Sequence, residues 1–415
     1  MPASKRSPVG RLDCLAPCRS MKRRRTLNMT VSFSTSAIDA RVADSLELTN
    51  AAIVTAERVV LGTLCCINGS IVSITEEPSS NPEAIDCEGD FLLPGLLDVH
   101  TDHLEKHSIP REGVFWKPLA AALNYDAAII SAGVTTVFDS LCVGAVGNPA
   151  RRKLLPMMID GVDQARRHGL LAADHFLHLR ADIVEADIPE LISPYLSHPY
   201  LRFLTIMDDS VARNPEQFRR VMRRRKKTDQ EIDALVEQAA READHAPRNR
   251  AWLLEQACAR NIPIANHDDT LGNHSAAAAK DGMTFSEFPL SMEAAKSAFE
   301  HGLKIIAGAP NLLLGGSHVG NVAVIDLVKA GYVDMLCSDY VPASILQAIF
   351  ALSMQHGTHT LPEAVATASL KPAKAFGLTD RGELAVGKRG DILRVRLVDD
   401  VAALRSVWVN AKQVK

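Results

Sequence analysis

Residues 92–107 read LLPGLLDVHTDHLEKH, and this stretch has the strongest chemical signature in the chain. The mostly apolar run from Leu96 to Val99 stops at His100, and His100, Asp102, His103, Glu105 and Lys106 then crowd together. His100 and Asp102 are two apart, so in an extended chain they point to the same side. Their N and O donors suit zinc or a similar divalent cation, one ion or two. Such a cation lowers the pKa of a bound water from ~16 towards ~7, and a nearby carboxylate can accept the proton. Asp339, in CSDY, is the candidate for that role and for metal binding; an N-cap of the following helix is the plainer alternative. His267 in NHDD, Glu287 in SEF and Asp182 in HLRAD are the remaining candidate metal ligands. Lys106 and Arg180 could clamp an anionic substrate. Gly315 and Gly316 precede His318 and Asn321, and glycines there let a backbone approach an anion, although a simple turn has the same signature.

These residues must be carried by elements that bring them together. Eight short apolar runs each end in polar or ionisable residues: LLDVH, TTVFDS, DHFLHLRAD, LRFLTIMDD, IPIANHDD, MTFSEFP, KIIAGAPN and VDMLCSDY. Most are separated by helix-like stretches, with longer helices expected at Pro149–His168 and Asp229–Arg260. This alternation predicts an α/β fold, a (β/α)8 TIM barrel with its site at the C-terminal ends of the strands. The two chain ends differ from this middle. Short β-branched runs from Leu46 to Ile74 surround Asn68-Gly69, a strong hairpin marker, and ILRVRLV and SVWVNAKQV lie near the C-terminus. The predicted organisation is therefore a small β-sandwich from residues 45–93 and 372–415 and a metal-dependent hydrolase barrel over 94–371, preceded by residues 1–44.

That first segment is basic and Ser-rich, with no apolar core of a secretory signal. It is expected to be a disordered extension, or to reflect an early start with Met21 or Met29 as internal starts; an organellar transit peptide is the second reading. A second basic run, RRVMRRRKK at Arg219–Lys227, reads as a solvated face, with a polyphosphate-facing patch as the alternative. Across all 415 residues the net charge is -3, which gives no general pull towards nucleic acid or membrane. No apolar run is long enough to span a bilayer. The eight cysteines show no zinc-finger spacing, and reduced thiols in a cytoplasmic protein are expected.

The motifs also carry a family likeness. PG-L-D-H at the first run, the late Ser-Asp, KPAKAFGL and G-L-x-x-G-x-x-G-D resemble the amidohydrolase superfamily. HTDHLEKH, HLR, HDDT, EFP, GAPN, GGSH-GN and SDY-P, in that order, resemble the PhnM-type enzymes of the carbon–phosphorus lyase pathway, a likeness that covers roughly Leu46 to the C-terminus. The resemblance implies hydrolysis of α-D-ribose 1-methylphosphonate 5-triphosphate to pyrophosphate and the 5-phosphate, in phosphonate metabolism. By matched motif it implies His100, Asp102, His267 and Asp339 as metal ligands and Lys106 and Arg180 as cationic clamps. It also implies a homo-oligomer, by default a dimer. The sequence departs from that pattern at His103, usually Asn, and at Asp182, usually Glu. It departs again at MDDSVARNPEQF after the fourth run, where the pattern is closer to MDHTPGQ-QF. No Lys stands on the fourth run, so a carbamylated lysine bridging two metals is not expected there. Two other readings follow from the same residues: a hydrolase of C–N bonds, of cyclic-amide or deaminase type, and a catalytically inactive barrel kept for assembly.

Overall fold

The computed structural model describes residues 44–144, 150–208, 213, 215–224, 226–242, 245–316 and 320–415. The basic extension, most of the 209–214 loop and His318 lie outside them.

Eight parallel strands form the barrel in chain order: Leu96–Thr101, Val134–Val143, Asp174–Asp182, Leu201–Met207, Ile264–His267, Phe285–Glu287, Lys304–Gly308 and Met335–Cys337. They correspond to the eight apolar runs, and the short sixth run yields a strand of only three residues. The first and last strands meet at a bridge between Thr101 and Asp339. There Asp339 N donates to His100 O at 3.0 Å, and Asp102 N donates to Asp339 O at 2.9 Å. Asp98 reinforces this seam. Its buried Oδ1 accepts from Ser338 N at 3.0 Å and from His100 N at 3.3 Å. The seam thus joins the backbone of His100 to that of Asp339.

Val99, Phe138, Phe203, Phe285, Ile306 and Met335 fill the barrel interior. Phe376, just after helix Leu370–Ala375, seals the end where the strands begin. Its ring lies 4.6 Å from Phe138, 5.0 Å from Phe203 and 5.1 Å from Phe285, stacked on the last. Outside the barrel, helix Pro118–Ser131 is tied to the second and third strands through charge. His175 places Nδ1 3.1 Å from Asp139 and Nε2 3.1 Å from Asp126, all buried. Burial alone would lower the His175 pKa, but the two carboxylates overcome it and raise the value to about 9.

Strands from both chain ends form a second, mixed sheet of eight strands. Its hairpin Val59–Ile67/Ser70–Thr75 turns at Asn68 (φ 50°) and Gly69 (φ 84°), the positive values that a tight two-residue hairpin demands. Strands Phe91–Pro94 and Ile392–Val398 pair antiparallel in its middle. Alternation sends Leu92 and Ile392 into the sheet's own core with Trp408, and Leu93 and Leu393 into the large core shared with the barrel helices. No helix among the described residues is long and apolar enough to cross a membrane.

Candidate active site

The C-terminal ends of the barrel strands surround a cavity of about 230 Å³, lined by His100, Arg180, His267, Asn311, Asn321 and Asp339, with Phe288 and Leu290 as an apolar wall. Three residues just past strand ends take left-handed backbone angles: Asp268 (φ 56°), Phe288 (φ 52°) and Asp339 (φ 53°). For a bulky residue such as Phe288 this is uncommon and costs of order 1–3 kcal/mol. The turns it permits bring Asp268, Phe288 and Asp339 to the cavity.

His100 is buried at the end of the first strand, its Nδ1 2.9 Å from Glu287 Oε1. Opposite a carboxylate that nitrogen carries the proton, which leaves the Nε2 lone pair facing Asp102, 3.9 Å away. Burial, helped by the Arg180 charge, pushes the His100 pKa well down, so the ring is neutral. Glu287, from the sixth strand, is fully buried, and its other oxygen accepts from Thr205 on the fourth strand at 2.8 Å. Thr205 Oγ1 also lies 2.7 Å from His178 Nε2. A chain of contacts therefore runs from His178 through Thr205 and Glu287 to His100.

Asp102 is partly exposed at the mouth and pairs with Arg180. Desolvation disfavours its carboxylate, and the Arg180 guanidinium more than offsets that, holding its pKa below the ordinary value. Burial, then the nearby Asp102 charge, raises the Asp339 carboxyl to about 6. His267 Nδ1 is 3.2 Å from Asp268 Oδ1, while its Nε2 is buried with no hydrogen-bond partner among the described residues. The ring centroids of His100 and His267 are 5.8 Å apart.

Among the described residues, two sets of donors could each hold a metal ion: His100, Asp102 and Asp339, and His100, His178 and Glu287, with the chosen atoms of each set within 4.8 Å of one another. The chemistry fits a divalent cation. Neutral imidazole and carboxylate are ordinary ligands for one, two carboxylates face each other, and an orphaned imidazole nitrogen waits at the same cavity.

The sequence candidates divide accordingly. His100, Asp102, His267, Asp339 and Arg180 meet at the cavity or its edge, and Asn321 lines it. Lys106 stands beside it, donating from Nζ to Tyr340 O at 2.8 Å. Glu287 belongs to the second donor set, and its two oxygens meet His100 and Thr205, an arrangement also suited to orienting His100. Asp182 is buried at the end of the third strand, where Oδ1 accepts from Val184 N at 3.3 Å, and it belongs to neither donor set. His318 lies outside the described residues. Two residues were missed. His178 shares a strand face with Arg180 two positions on, and that alternation was the available signal. Arg213 follows the fourth strand, ion-pairs with Asp269 and reaches His267 O at 3.3 Å. Nothing in the local sequence marks it.

Residues 91–414 match the model of the amidohydrolase family, and the chain belongs to that family. Solved structures agree on the fold. A 5-methylcytosine deaminase from Klebsiella pneumoniae superposes with a TM-score of 0.62 at 14% identity, over 89% of this chain and 98% of that one. An N-acetylglucosamine-6-phosphate deacetylase from Pasteurella multocida gives 0.60 at 14%, over 89% and 99%. In sequence, the chain is 35% identical over 375 residues to the α-D-ribose 1-methylphosphonate 5-triphosphate diphosphatase of Escherichia coli (strain K12). That likeness covers 88% of this chain and 99% of the relative.

Proposed function

We propose that the protein is a metal-dependent diphosphatase that hydrolyses α-D-ribose 1-methylphosphonate 5-triphosphate in phosphonate catabolism. One water is consumed, the anhydride between the first and second phosphates breaks, and pyrophosphate leaves the 5-phosphate behind. The observation that carries this reading is the near-full-length likeness to the Escherichia coli diphosphatase, with imidazoles, carboxylates and cations meeting at one barrel mouth. His100, Asp102, His267 and Asp339 would hold the ion, most simply zinc. A bound divalent cation supplies Lewis-acid polarisation and makes water acidic enough to react near neutral pH.

The chain's own residues supply the rest. Glu287, fixed by Thr205, keeps the His100 proton on Nδ1 and so directs Nε2 into the site. Asp339 accepts the proton of the attacking water; its raised pKa makes it a better base than an ordinary carboxylate. Arg180 and Lys106 offset charge on the phosphoryl oxygens. Phe288 and Leu290 limit water on the apolar side. Retained donors and near-full-length likeness to an enzyme disfavour the inactive-barrel reading, and cations at the mouth favour a phosphorylated substrate over a neutral amide.

The test is to incubate purified protein with the triphosphate and a divalent metal and measure pyrophosphate. Wild type should release it, and Asp339→Asn should be slower by at least about 10²-fold. No pyrophosphate from wild type, or equal rates for the two proteins, would remove the reading.

A further inference from the structure

The basic run Arg219–Lys227 divides in three dimensions. Arg219 lies 2.7 Å from Asp233, Arg223 3.2 Å from Asp229 and Lys227 3.0 Å from Glu231, so these three are matched by acids on or next to helix Asp229–Glu242. Arg220 lies on helix Pro215–Arg224 but reaches towards the cavity rim. Its Nη2 donates to Asn321 Oδ1 at 3.4 Å. Its Nη1 is 3.6 Å from where a β-carbon on Gly320 would stand. Among the described residues Arg220 has no carboxylate partner, and its one hydrogen-bond acceptor is that neutral amide.

Charge balance gives this position meaning. Among the described residues, Arg180 is the one lysine or arginine lining the cavity, and it is already paired with Asp102. Lys106 meets a backbone carbonyl at the Tyr340 edge, and Arg220 meets an amide at the Asn321 edge. Both edges border the cavity. A polyphosphate whose reacting phosphorus lies beside Asp339 must extend its remaining phosphates outward, where unmatched cations stand. Arginine suits such oxygens because its planar fork makes paired hydrogen bonds.

Building on the diphosphatase reading, we propose that Arg220 binds the outer phosphates of the substrate chain and makes the site prefer a triphosphate over shorter phosphates. The test pairs Arg220→Gln with Arg223→Gln, a cation of the same helix that is already matched by Asp229. Inorganic tripolyphosphate, pyrophosphate and phosphate serve as competing probes, their affinities measured by calorimetry as well as by inhibition. Arg220→Gln should raise KM for the triphosphate and weaken tripolyphosphate binding about tenfold, the loss of one charge-assisted hydrogen bond. Phosphate affinity and kcat should change less than about twofold. Arg220→Lys should recover part of the loss, and Arg223→Gln should behave as wild type. Equal effects on tripolyphosphate and phosphate, or none on either, would overturn the assignment. If wild type releases no pyrophosphate, the functional reading fails, and tripolyphosphate affinity still decides Arg220.

Discussion

His175 gives a quantitative prediction about how the barrel wall is held. In the folded protein its pKa is raised to about 9, against 6.5 for the free side chain, because Asp139 and Asp126 outweigh its burial. A raised folded value means that the folded state binds the proton more tightly. The stabilisation is therefore fully present below pH 6.5 and is lost as pH rises through about 9. At about 1.4 kcal/mol per pH unit, that interval corresponds to roughly 3 kcal/mol. The perturbation is His175→Gln, which keeps hydrogen bonding but removes the titrating proton. Urea unfolding of wild type and variant at about pH 6 and about pH 9.5 gives the comparison, since groups common to both cancel. The variant should be less stable at the lower pH and should lose most of the gap at the higher one. Amide exchange at Ala173, whose N–H donates to Asp126 Oδ1 at 2.9 Å, should quicken in the variant below neutrality. Parallel stability profiles, with a gap unchanged between the two pH values, would refute the view that a protonated His175 ties the helix to the second and third strands.

Two further outcomes test the site. Thr205→Val removes the hydroxyl between Glu287 and His178 while keeping the shape; it should lower affinity for metal about 10–100-fold, measured by competition with a chromogenic chelator, with little effect on folding. Removal of metal by chelation should abolish pyrophosphate release and lower the thermal midpoint, and added zinc should restore both; full activity after exhaustive chelation would count against the proposed role of the donor set.

Much of the framework was legible because it depends on local pattern. The eight apolar runs marked the barrel strands, the Asn68-Gly69 pair marked a hairpin, and the spacing of His100 and Asp102 placed both at one strand end. What escaped depends on partners far away in sequence. Glu287 reads as a candidate ligand from its strand end and stands in one of the two donor sets, but that its neighbours are His100 and Thr205, from the first and fourth strands, is set by the fold. His178 offers only a position on a strand face, and its contacts with Ser140 and Thr205 are set by barrel register. The HDD motif divides for the same reason. Asp268 takes a left-handed turn into the cavity, whereas Asp269 is buried among Arg213, Asn266 and Ser275. The basic run could not be resolved from charge alone, since each arginine's role depends on the wall it meets.

The Phe376 seal has a consequence for how the chain matures on the ribosome. Every residue proposed to act on substrate is synthesised before the ring that stops the barrel's lower opening, and the strands Ile392–Val398, Val401–Val409 and Lys412–Gln413 of the neighbouring sheet emerge later still. Domains form as their residues emerge, at about 5–20 residues per second. A nascent chain can therefore hold all its reactive groups and still lack the aromatic stopper, so loss of only the last few dozen residues should leave an open, protease-sensitive cylinder in place of a trimmed enzyme.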